Sequence, residues 1–165
     1  MKQKLWMSWS TGKDSALALY EILQSQEFEV EGLFTTVNES FGRVAMHSTR
    51  EELLAQQAFE LDLPLTIVKI PYPCTNEIYE QRMAECIQAA RAQNITHMAF
   101  GDLYLEEIRD YRLKMLTGTG ITPVFPLWGI STTDLAARLI SLGFKAIVTC
   151  VEKKKLPQSF VGRSY

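Results

Sequence analysis

The sequence predicts one α/β domain over residues 1–165, a three-layer sandwich around a mostly parallel sheet of five to six strands. Short apolar runs alternate along the chain with longer segments whose apolar residues have helical spacing. The runs are apolar on both faces, which is typical of parallel strands covered by helices. Hydrophobic residues make up 47% of the chain and charged residues 22%, as in ordinary globular proteins.

Five apolar runs are expected to form strands, at residues 5–9, 33–37, 65–70, 97–100 and 146–151. Helical stripes lie between them and are carried by Ala16, Leu19, Tyr20 and Leu23; by Leu54, Ala58 and Leu61; by Tyr79, Met83, Cys86, Ile87 and Ala90; and by Leu135, Leu139 and Leu142. Turn residues support these boundaries. Pro64 separates the second helix from its strand, and Gly118 and Gly143 suit helix ends. The longest loop, residues 37–49, follows a strand end and is a candidate lid or ligand loop.

Composition excludes several classes of protein. The net charge of −2 argues against a strongly basic nucleic-acid clamp and against a disordered polyelectrolyte. Cys74, Cys86 and Cys150 stand far apart, so neither a disulfide framework nor a structural zinc site is expected. No apolar run is long enough for a signal peptide or a membrane span, and a cytoplasmic protein is therefore predicted.

The sharpest local signal is the turn Ser10-Thr11-Gly12-Lys13-Asp14-Ser15 between the first strand and the first helix. Small and hydroxyl residues allow the backbone to turn tightly, so that several N–H groups and the positive end of the helix face one anion. Lys13 adds a full positive charge. The Walker A pattern does not fit, because Asp14 follows the lysine and Met7 stands where that pattern needs a glycine. The turn predicts a phosphate cradle of another kind.

This turn resembles the Ser-Gly-Gly-Lys-Asp-Ser signature of PP-loop ATP pyrophosphatases, with Thr11 in place of the first glycine. Other segments resemble the diphthine–ammonia ligase-like branch of that superfamily, in the order found there. They are residues 44–54 with 57–58, residues 100–103 leading into 106–112, and residues 123–129, 143–146 and 159–163. The resemblance implies an adenine nucleotide alpha hydrolase-like fold (HUP, Rossmann-like) with strand order 3-2-1-4-5.

The resemblance also implies a reaction. Members bind ATP with Mg²⁺ and break the bond between its α- and β-phosphates, so that a substrate carboxylate becomes an acyl-adenylate, which ammonia converts to an amide. The eukaryotic and archaeal activity completes diphthamide on a translation elongation factor, so the acceptor carboxylate is there carried by a protein. The partners implied are ATP, ammonia and a carboxylate acceptor that the sequence does not name. Neither a membrane nor a nucleic acid is expected.

The strand order implied by the resemblance has its switch point between the first and fourth strands, where ligands of open α/β sheets bind. This predicts that the turn at residues 10–15 lies beside Gly101 and Asp102. Lys13, Asp102 and His47 are the candidate catalytic residues. The candidate ATP-binding residues are Ser10, Thr11, Gly12, Lys13, Asp14, Ser15, Thr35, Thr36, Arg50 and Gly101. Asp14 and Asp102 are the candidate Mg²⁺ ligands.

Several of these roles have a plain structural alternative. Asp14 equally suits a helix-capping role, and Asp102 equally suits orientation of the acceptor or a bond to nearby backbone. His47 and Arg50 suit a phosphate contact or an exposed surface. One of Arg109, Tyr111 and Arg112 is expected to face the crevice, with the others on a solvated face. Phe125 and Trp128 suit the core or a wall of the acceptor pocket.

The sequence departs from the family at its end, where the Gly-Glu-rich segment and the Glu-Phe-His-Thr motif do not follow Tyr165. Three explanations stay open. The acceptor site is built differently, a partner or second subunit supplies it, or the chain retains nucleotide binding without turnover. A shortened edge would favour a homodimer. A tRNA-modifying sulfur transferase of the same superfamily is disfavoured, because catalytic cysteines and a basic RNA face are both missing.

Overall fold

The computed structural model describes residues 2–164 and divides into two compact units, Met1–Gly129 and Ile130–Tyr165. The first unit carries the sheet and four helices. Its strands are β1 (Gln3–Ser8), β2 (Phe28–Asn38), β3 (Arg43–Val44), β4 (Leu65–Ile70), β5 (His97–Ala99) and β6 (Thr122–Val124). Its helices are α1 (Lys13–Ser25), α2 (Glu51–Glu60), α3 (Asn76–Ala92) and α4 (Glu106–Leu116). The second unit contains α5 (Thr132–Ser141) and a short 3₁₀ turn (Gln158–Phe160).

The sheet is mostly parallel and has six strands in the order β3-β2-β1-β5-β6, with β4 also paired to β2. β4 runs along residues 33–38 of β2. β3 pairs antiparallel with Val37 and Asn38, so it uses the opposite edge of β2, where β1 has already ended at Ser8 opposite Phe34. The hairpin that contains β3 therefore folds back above the carboxyl end of β1. This placement brings residues 45–49 towards the turn that follows β1.

The expected strand order 3-2-1-4-5 differs from the order found, for two reasons. The loop at residues 37–49 contains the short strand β3, which apolar patterning over two residues does not reveal. The edge beside β5 is occupied by β6 and not by residues 146–151. Ile147 of the latter run is 68% exposed and makes only an isolated antiparallel bridge to Ser164. The strand predicted at residues 146–151 is wrong.

Both faces of the central strand are buried. Leu5, Trp6 and Met7 follow one another in β1 and are each at most 3% exposed. Since successive strand residues point to opposite faces, helices and loops must cover the sheet on both sides. One core cluster joins Trp6 to buried side chains of β2, β4, β5, α3 and α4, and in it the rings of Phe34 and Phe100 meet edge to face at 5.9 Å. The layered α/β class predicted from the sequence is confirmed.

Side-chain caps explain where two of the helices begin. The Thr75 hydroxyl accepts a hydrogen bond from the Ile78 N–H at 3.4 Å, and the Ser131 hydroxyl accepts one from the Asp134 N–H at 3.1 Å. α1 differs, because its N-cap residue Gly12 has no side chain that can accept a hydrogen bond from the first amides of the helix. Between residues 2 and 164, no helix has the length and apolar character needed to cross a membrane.

Candidate functional site

The turn between β1 and α1 is organised around the buried hydroxyl of Ser15. This oxygen accepts from the Ser10 N–H at 3.3 Å and from the Ser10 hydroxyl at 3.0 Å, and it donates to the Gly12 carbonyl at 3.0 Å. The Gly12 carbonyl also accepts the first helical bond, from the Ala16 N–H at 3.1 Å. The turn is thus fixed by its own small polar residues, while the N-terminus of α1 stays open for an anion.

Thr11, which stands where the family signature has a glycine, adopts a left-handed backbone conformation with φ of +66°. A β-branched residue is strained there. Its hydroxyl oxygen lies 2.5 Å from the Ser10 carbonyl oxygen and 2.7 Å from the hydroxyl oxygen of Thr49. Because a hydroxyl has one proton, it donates to the carbonyl and accepts from Thr49. These two bonds offset part of the strain and tie the turn to the β3 hairpin.

Gln57 of α2, which was not among the predicted site residues, also holds the turn. Its side-chain oxygen accepts from the Trp9 indole N–H at 2.9 Å, and its amide nitrogen donates to the Thr11 carbonyl at 3.5 Å. Residues 57–58 belong to a segment that resembles the family, but the pattern there does not indicate a contact with the turn, because that contact joins segments 46 or more positions apart. The turn is therefore braced from two sides, by Thr49 and by Gln57.

Gly101 lies directly against the N-terminus of α1. A Cβ built on Gly101 would stand 3.1 Å from the carbonyl carbon of Asp14 and 3.2 Å from the Ser15 nitrogen, which is tighter than nine in ten real Cβ contacts. A side chain at this position would require the backbone at the start of α1 to shift, so the close approach favours glycine. β1 and β5 are parallel neighbours, so their carboxyl ends deliver the turn and Gly101 to one place. The sequence predicted this meeting from the switch point of the sheet.

Lys13 and Arg112 each lie near a carboxylate. The Lys13 ammonium lies 2.6 Å from Asp14 Oδ1. Arg112 of α4 lies with its Nε 3.7 Å from Asp102 Oδ2, a distance too long for a hydrogen bond, and among residues 2–164 neither of these two buried atoms has a hydrogen-bond partner. Burial raises the pKa of the Asp102 carboxyl, and the nearby Arg112 charge only partly opposes that rise.

A cavity of about 300 Å³ opens beside the turn, at the lower end of the size range of ligand sites. It is bounded by the ends of β1 and β2, the β3 hairpin, α3 and α4, and its lining includes Ser10, Thr35, Thr36, His47, Tyr79, Met83 and Arg112. Its walls thus combine apolar surface with several polar groups. Lys13, Asp14, Gly101 and Asp102 stand outside this lining, around the turn itself.

Two of the candidate ATP-binding residues, Thr35 and Thr36 of β2, line the cavity. Thr35 is buried and Thr36 is half-buried. The Thr36 carbonyl accepts a hydrogen bond from the Ala45 N–H at 2.8 Å, so this main-chain oxygen is already used by the hairpin. The Phe34 carbonyl likewise accepts from the Trp9 N–H at 2.8 Å.

His47 and Arg50 have different positions. His47 is exposed and lines the cavity, and its ring atoms Cε1 and Nδ1 lie 3.8 Å from the Cβ position of Gly12. Arg50 is exposed and lines a separate hollow with Phe41, Arg43 and Glu51. The structure therefore brings His47 to the turn but does not bring Arg50 into the cavity.

Arg112 is the residue of α4 that faces the cavity. Its Nη1 donates to the Tyr79 hydroxyl at 3.3 Å, and its guanidinium carbon lies 4.8 Å from the centre of the Phe100 ring. The guanidinium of Arg109 instead stacks over Trp128 at 4.7 Å. Phe125 packs on the core cluster. The sequence left open which of the charged α4 residues turns inward, because their spacing suits two faces of the helix.

The residues around the turn suit a bound nucleotide better than a metal ion held by protein ligands alone. A turn without a Cβ at Gly12, open helix amides and Lys13 could together hold a phosphate group. In the described part of the chain, no three His, Cys, Asp or Glu side chains group to hold a metal ion. Mg²⁺ usually takes one or two carboxylates together with substrate phosphates. Asp14 and Asp102 fit that second kind of site, in which the nucleotide supplies the remaining ligands.

Comparison with known proteins agrees with this geometry. Two solved structures share the fold. One is described as a predicted subunit of a tRNA methyltransferase from Methanocaldococcus jannaschii, with TM-score 0.52 and 14% identity over 91% of this chain and 80% of that one. The other is the U34-tRNA thiolase NcsA from Methanococcus maripaludis, solved with its [4Fe-4S] cluster, with TM-score 0.50 and 15% identity over 86% of this chain and 57% of that one.

At these identities the likeness concerns the fold alone. No curated protein sequence matches the chain. The model of the diphthamide synthase N-terminal domain matches residues 3–122, which is well over half of the chain and includes the turn, Gly101, Asp102 and Arg112. The chain therefore belongs to the diphthamide synthase N-terminal domain family of PP-loop ATP pyrophosphatases.

Proposed function

We propose that this protein is an ATP-dependent amide-forming ligase that acts through an acyl-adenylate. The observation that carries the proposal is the close approach of Gly101 to the N-terminus of α1, next to a cavity whose lining includes Ser10 of the turn and Arg112. The family to which the chain belongs consists of ligases of this type. The nucleoside would occupy the cavity and the β- and γ-phosphates the turn.

In the first step, an oxygen of the acceptor carboxylate attacks the α-phosphorus, and the bond to the α–β bridging oxygen breaks. The electron pair leaves with pyrophosphate. The Lys13 ammonium and the amides of the turn stabilise the charge that grows on this leaving group. To reach a phosphate, Lys13 must exchange its bond to Asp14 for one to the nucleotide. Bound Mg²⁺ would neutralise phosphate charge, with Asp14 and Asp102 as its protein ligands.

In the second step, the nitrogen of ammonia attacks the acyl carbon, AMP leaves with the electron pair of the broken carbon–oxygen bond, and the nitrogen loses a proton. His47 lies beside Gly12 and would contact the phosphates from the hairpin side. The acceptor is a carboxylate, and in this proposal it can be carried by a protein. The protein would act in the cytoplasm, where ATP is plentiful.

The test is release of pyrophosphate from ATP with Mg²⁺ and ammonia, with carboxylates added in turn. Lys13→Ala is expected to weaken ATP binding roughly tenfold or more, since it removes a charge-assisted contact. Lys69→Ala, at an exposed position on β4, is the matched control and should bind ATP as the natural chain does. Unchanged binding in Lys13→Ala would contradict the cradle. Tight ATP binding without pyrophosphate under every condition would instead identify a nucleotide-binding module without turnover.

A further inference from the structure

Arg112 has a fixed and unusual environment at the edge of the cavity. Its guanidinium is held on one side by the Tyr79 hydroxyl, at 3.3 Å from Nη1, and lies over the Phe100 ring at 4.8 Å. Its side chain is 20% exposed. An arginine restrained in this way loses little conformational freedom when a ligand binds. The guanidinium is therefore already oriented towards the cavity.

The donors of this guanidinium are only partly used. In the described structure, Arg112 Nε and Asp102 Oδ2 are buried, have no hydrogen-bond partner and stand 3.7 Å apart. A buried N–H without an acceptor is costly. At 3.7 Å, Asp102 Oδ2 is too far from Arg112 Nε to accept its hydrogen bond. An anionic oxygen of a ligand would satisfy the free donors better than Asp102 does.

The position of Arg112 indicates which of the phosphate groups of ATP would supply that oxygen. Arg112 lines the cavity, and it also reaches Asp102, whose neighbour Gly101 touches the backbone of Asp14. Arg112 thus lines the same cavity as Ser10 of the turn, and it stands beside the segment that packs on the start of α1. In ATP the α-phosphate is bonded between the ribose and the β-phosphate. With the nucleoside in the cavity and the β- and γ-phosphates on the turn, the α-phosphate must pass beside Arg112.

We propose that Arg112 is a catalytic residue that binds the non-bridging oxygens of the α-phosphate. This inference rests on the proposed function and adds to it the group that acts on the reacting phosphorus. As the carboxylate oxygen bonds to that phosphorus and pyrophosphate departs, negative charge stays on the two non-bridging oxygens. The planar guanidinium donates two parallel hydrogen bonds to them, which a lysine cannot reproduce.

The experiment compares binding of adenosine, AMP and ATP to the natural chain, Arg112→Gln and Arg112→Lys. Arg112→Gln is expected to weaken AMP binding roughly 10- to 100-fold while adenosine binding changes by less than about threefold. Arg112→Lys should recover part of the AMP affinity. In pyrophosphate–ATP exchange, Arg112→Gln should lower the rate at saturating ATP by more than its effect on ATP affinity, as expected for a contact that strengthens in the transition state.

Arg109→Gln is the matched control. Arg109 lies on the same helix and its Nε is also buried without a hydrogen-bond partner within residues 2–164, but it stacks on Trp128 and does not line the cavity. The Arg109→Gln variant should leave the ratio of AMP affinity to adenosine affinity unchanged. Equal losses for adenosine and AMP in Arg112→Gln would assign Arg112 a structural role and overturn the inference.

Unchanged AMP binding in Arg112→Gln, with ATP still bound by the natural chain, would also overturn the inference and leave the proposed function intact. Failure of the natural chain to bind either nucleotide would instead contradict the proposed function itself. The outcomes for Arg112 and for the whole site are thus distinguishable.

Discussion

Gly101 packs against the main chain of Asp14 so closely that a Cβ on Gly101 would stand 3.1 Å from the Asp14 carbonyl carbon and 3.2 Å from its oxygen. The three atoms nearest to this Cβ position all belong to the backbone, so no flexible side chain can move aside to make room. Gly101→Ala should therefore displace the N-terminus of α1 and lower the free energy of unfolding by about 1–3 kcal/mol. Denaturant unfolding measures the loss, and ATP affinity should fall with it.

Gly12→Ala provides the comparison for this loss of stability. The nearest atom to a Cβ on Gly12 is Ser10 Oγ at 3.4 Å, an ordinary contact, and the Gly12 φ of −96° suits any residue. We expect its free energy of unfolding to differ from that of the natural chain by less than about 1 kcal/mol. Equal destabilisation by the two alanines would mean that the close approach of Gly101 is not what requires glycine there.

Thr11 combines a strained backbone with two hydrogen bonds, and the two effects can be separated. Thr11→Gly removes the strain along with the hydroxyl, so its stability should stay within about 1 kcal/mol of the natural chain. Thr11→Val keeps the β-branched side chain at a φ of +66° and loses the hydroxyl that accepts from Thr49. It should be less stable than Thr11→Gly by about 1–3 kcal/mol in thermal or denaturant unfolding. A valine variant as stable as the glycine variant would refute this account.

Asp102 predicts a pH dependence of stability. Its pKa is raised in the folded protein, chiefly by burial. Between the pKa of Asp102 in the unfolded chain and its higher pKa in the folded chain, the folded chain therefore binds more protons. The contribution of Asp102 to stability is fully present below the pKa of the unfolded state, and it is lost as pH rises through the pKa of the folded state. The free energy of unfolding of the natural chain relative to Asp102→Asn should fall over that window. A difference that grows as pH rises would show that the Arg112 charge outweighs burial.

Two of the three cysteines, Cys86 and Cys150, should differ in reactivity. Burial raises the pKa of the Cys86 thiol to about 11, and the side chain is 5% exposed, whereas Cys150 is exposed. Since the thiolate is the reactive form, a thiol reagent near neutral pH should modify Cys150 quickly and Cys86 only at the rate of unfolding. Peptide mass spectrometry after timed labelling measures the labelling rates of both cysteines. The Cys150→Ser variant should lack the fast labelling. Rapid labelling of Cys86 in the native protein would contradict the packing of α3.

Local chemistry in the sequence predicted much of the site. The turn at residues 10–15 is marked by small and hydroxyl residues at a strand–helix junction, which is a purely local pattern. The strand order implied by the family resemblance predicted that Gly101 and Asp102 lie beside the turn, because carboxyl ends of neighbouring parallel strands meet. The bracing of the turn by Thr49 and Gln57 was not predicted, since hydrogen bonds between segments distant along the chain leave no periodic signal.

The error at the sheet edge also has a physical cause. The edge strand β6 contains Pro123, which lacks an N–H and weakens the pattern of a strand, but an edge strand tolerates it. The apolar run at residues 146–151 gave the stronger pattern, yet Ile147 remains exposed. Apolar composition alone does not distinguish a buried strand from an extended segment that forms a single bridge.

The two ion pairs at the site, Lys13 with Asp14 and Arg112 with Asp102, leave these four side chains with no net charge between them. The whole chain carries a net charge of −2. A ligand with several negative charges is therefore not drawn in from a distance, and the encounter rate of ATP should depend weakly on ionic strength. On the proposed function, selection among anions would take place after arrival, when phosphate oxygens replace Asp14 and Asp102 as partners of the two cations.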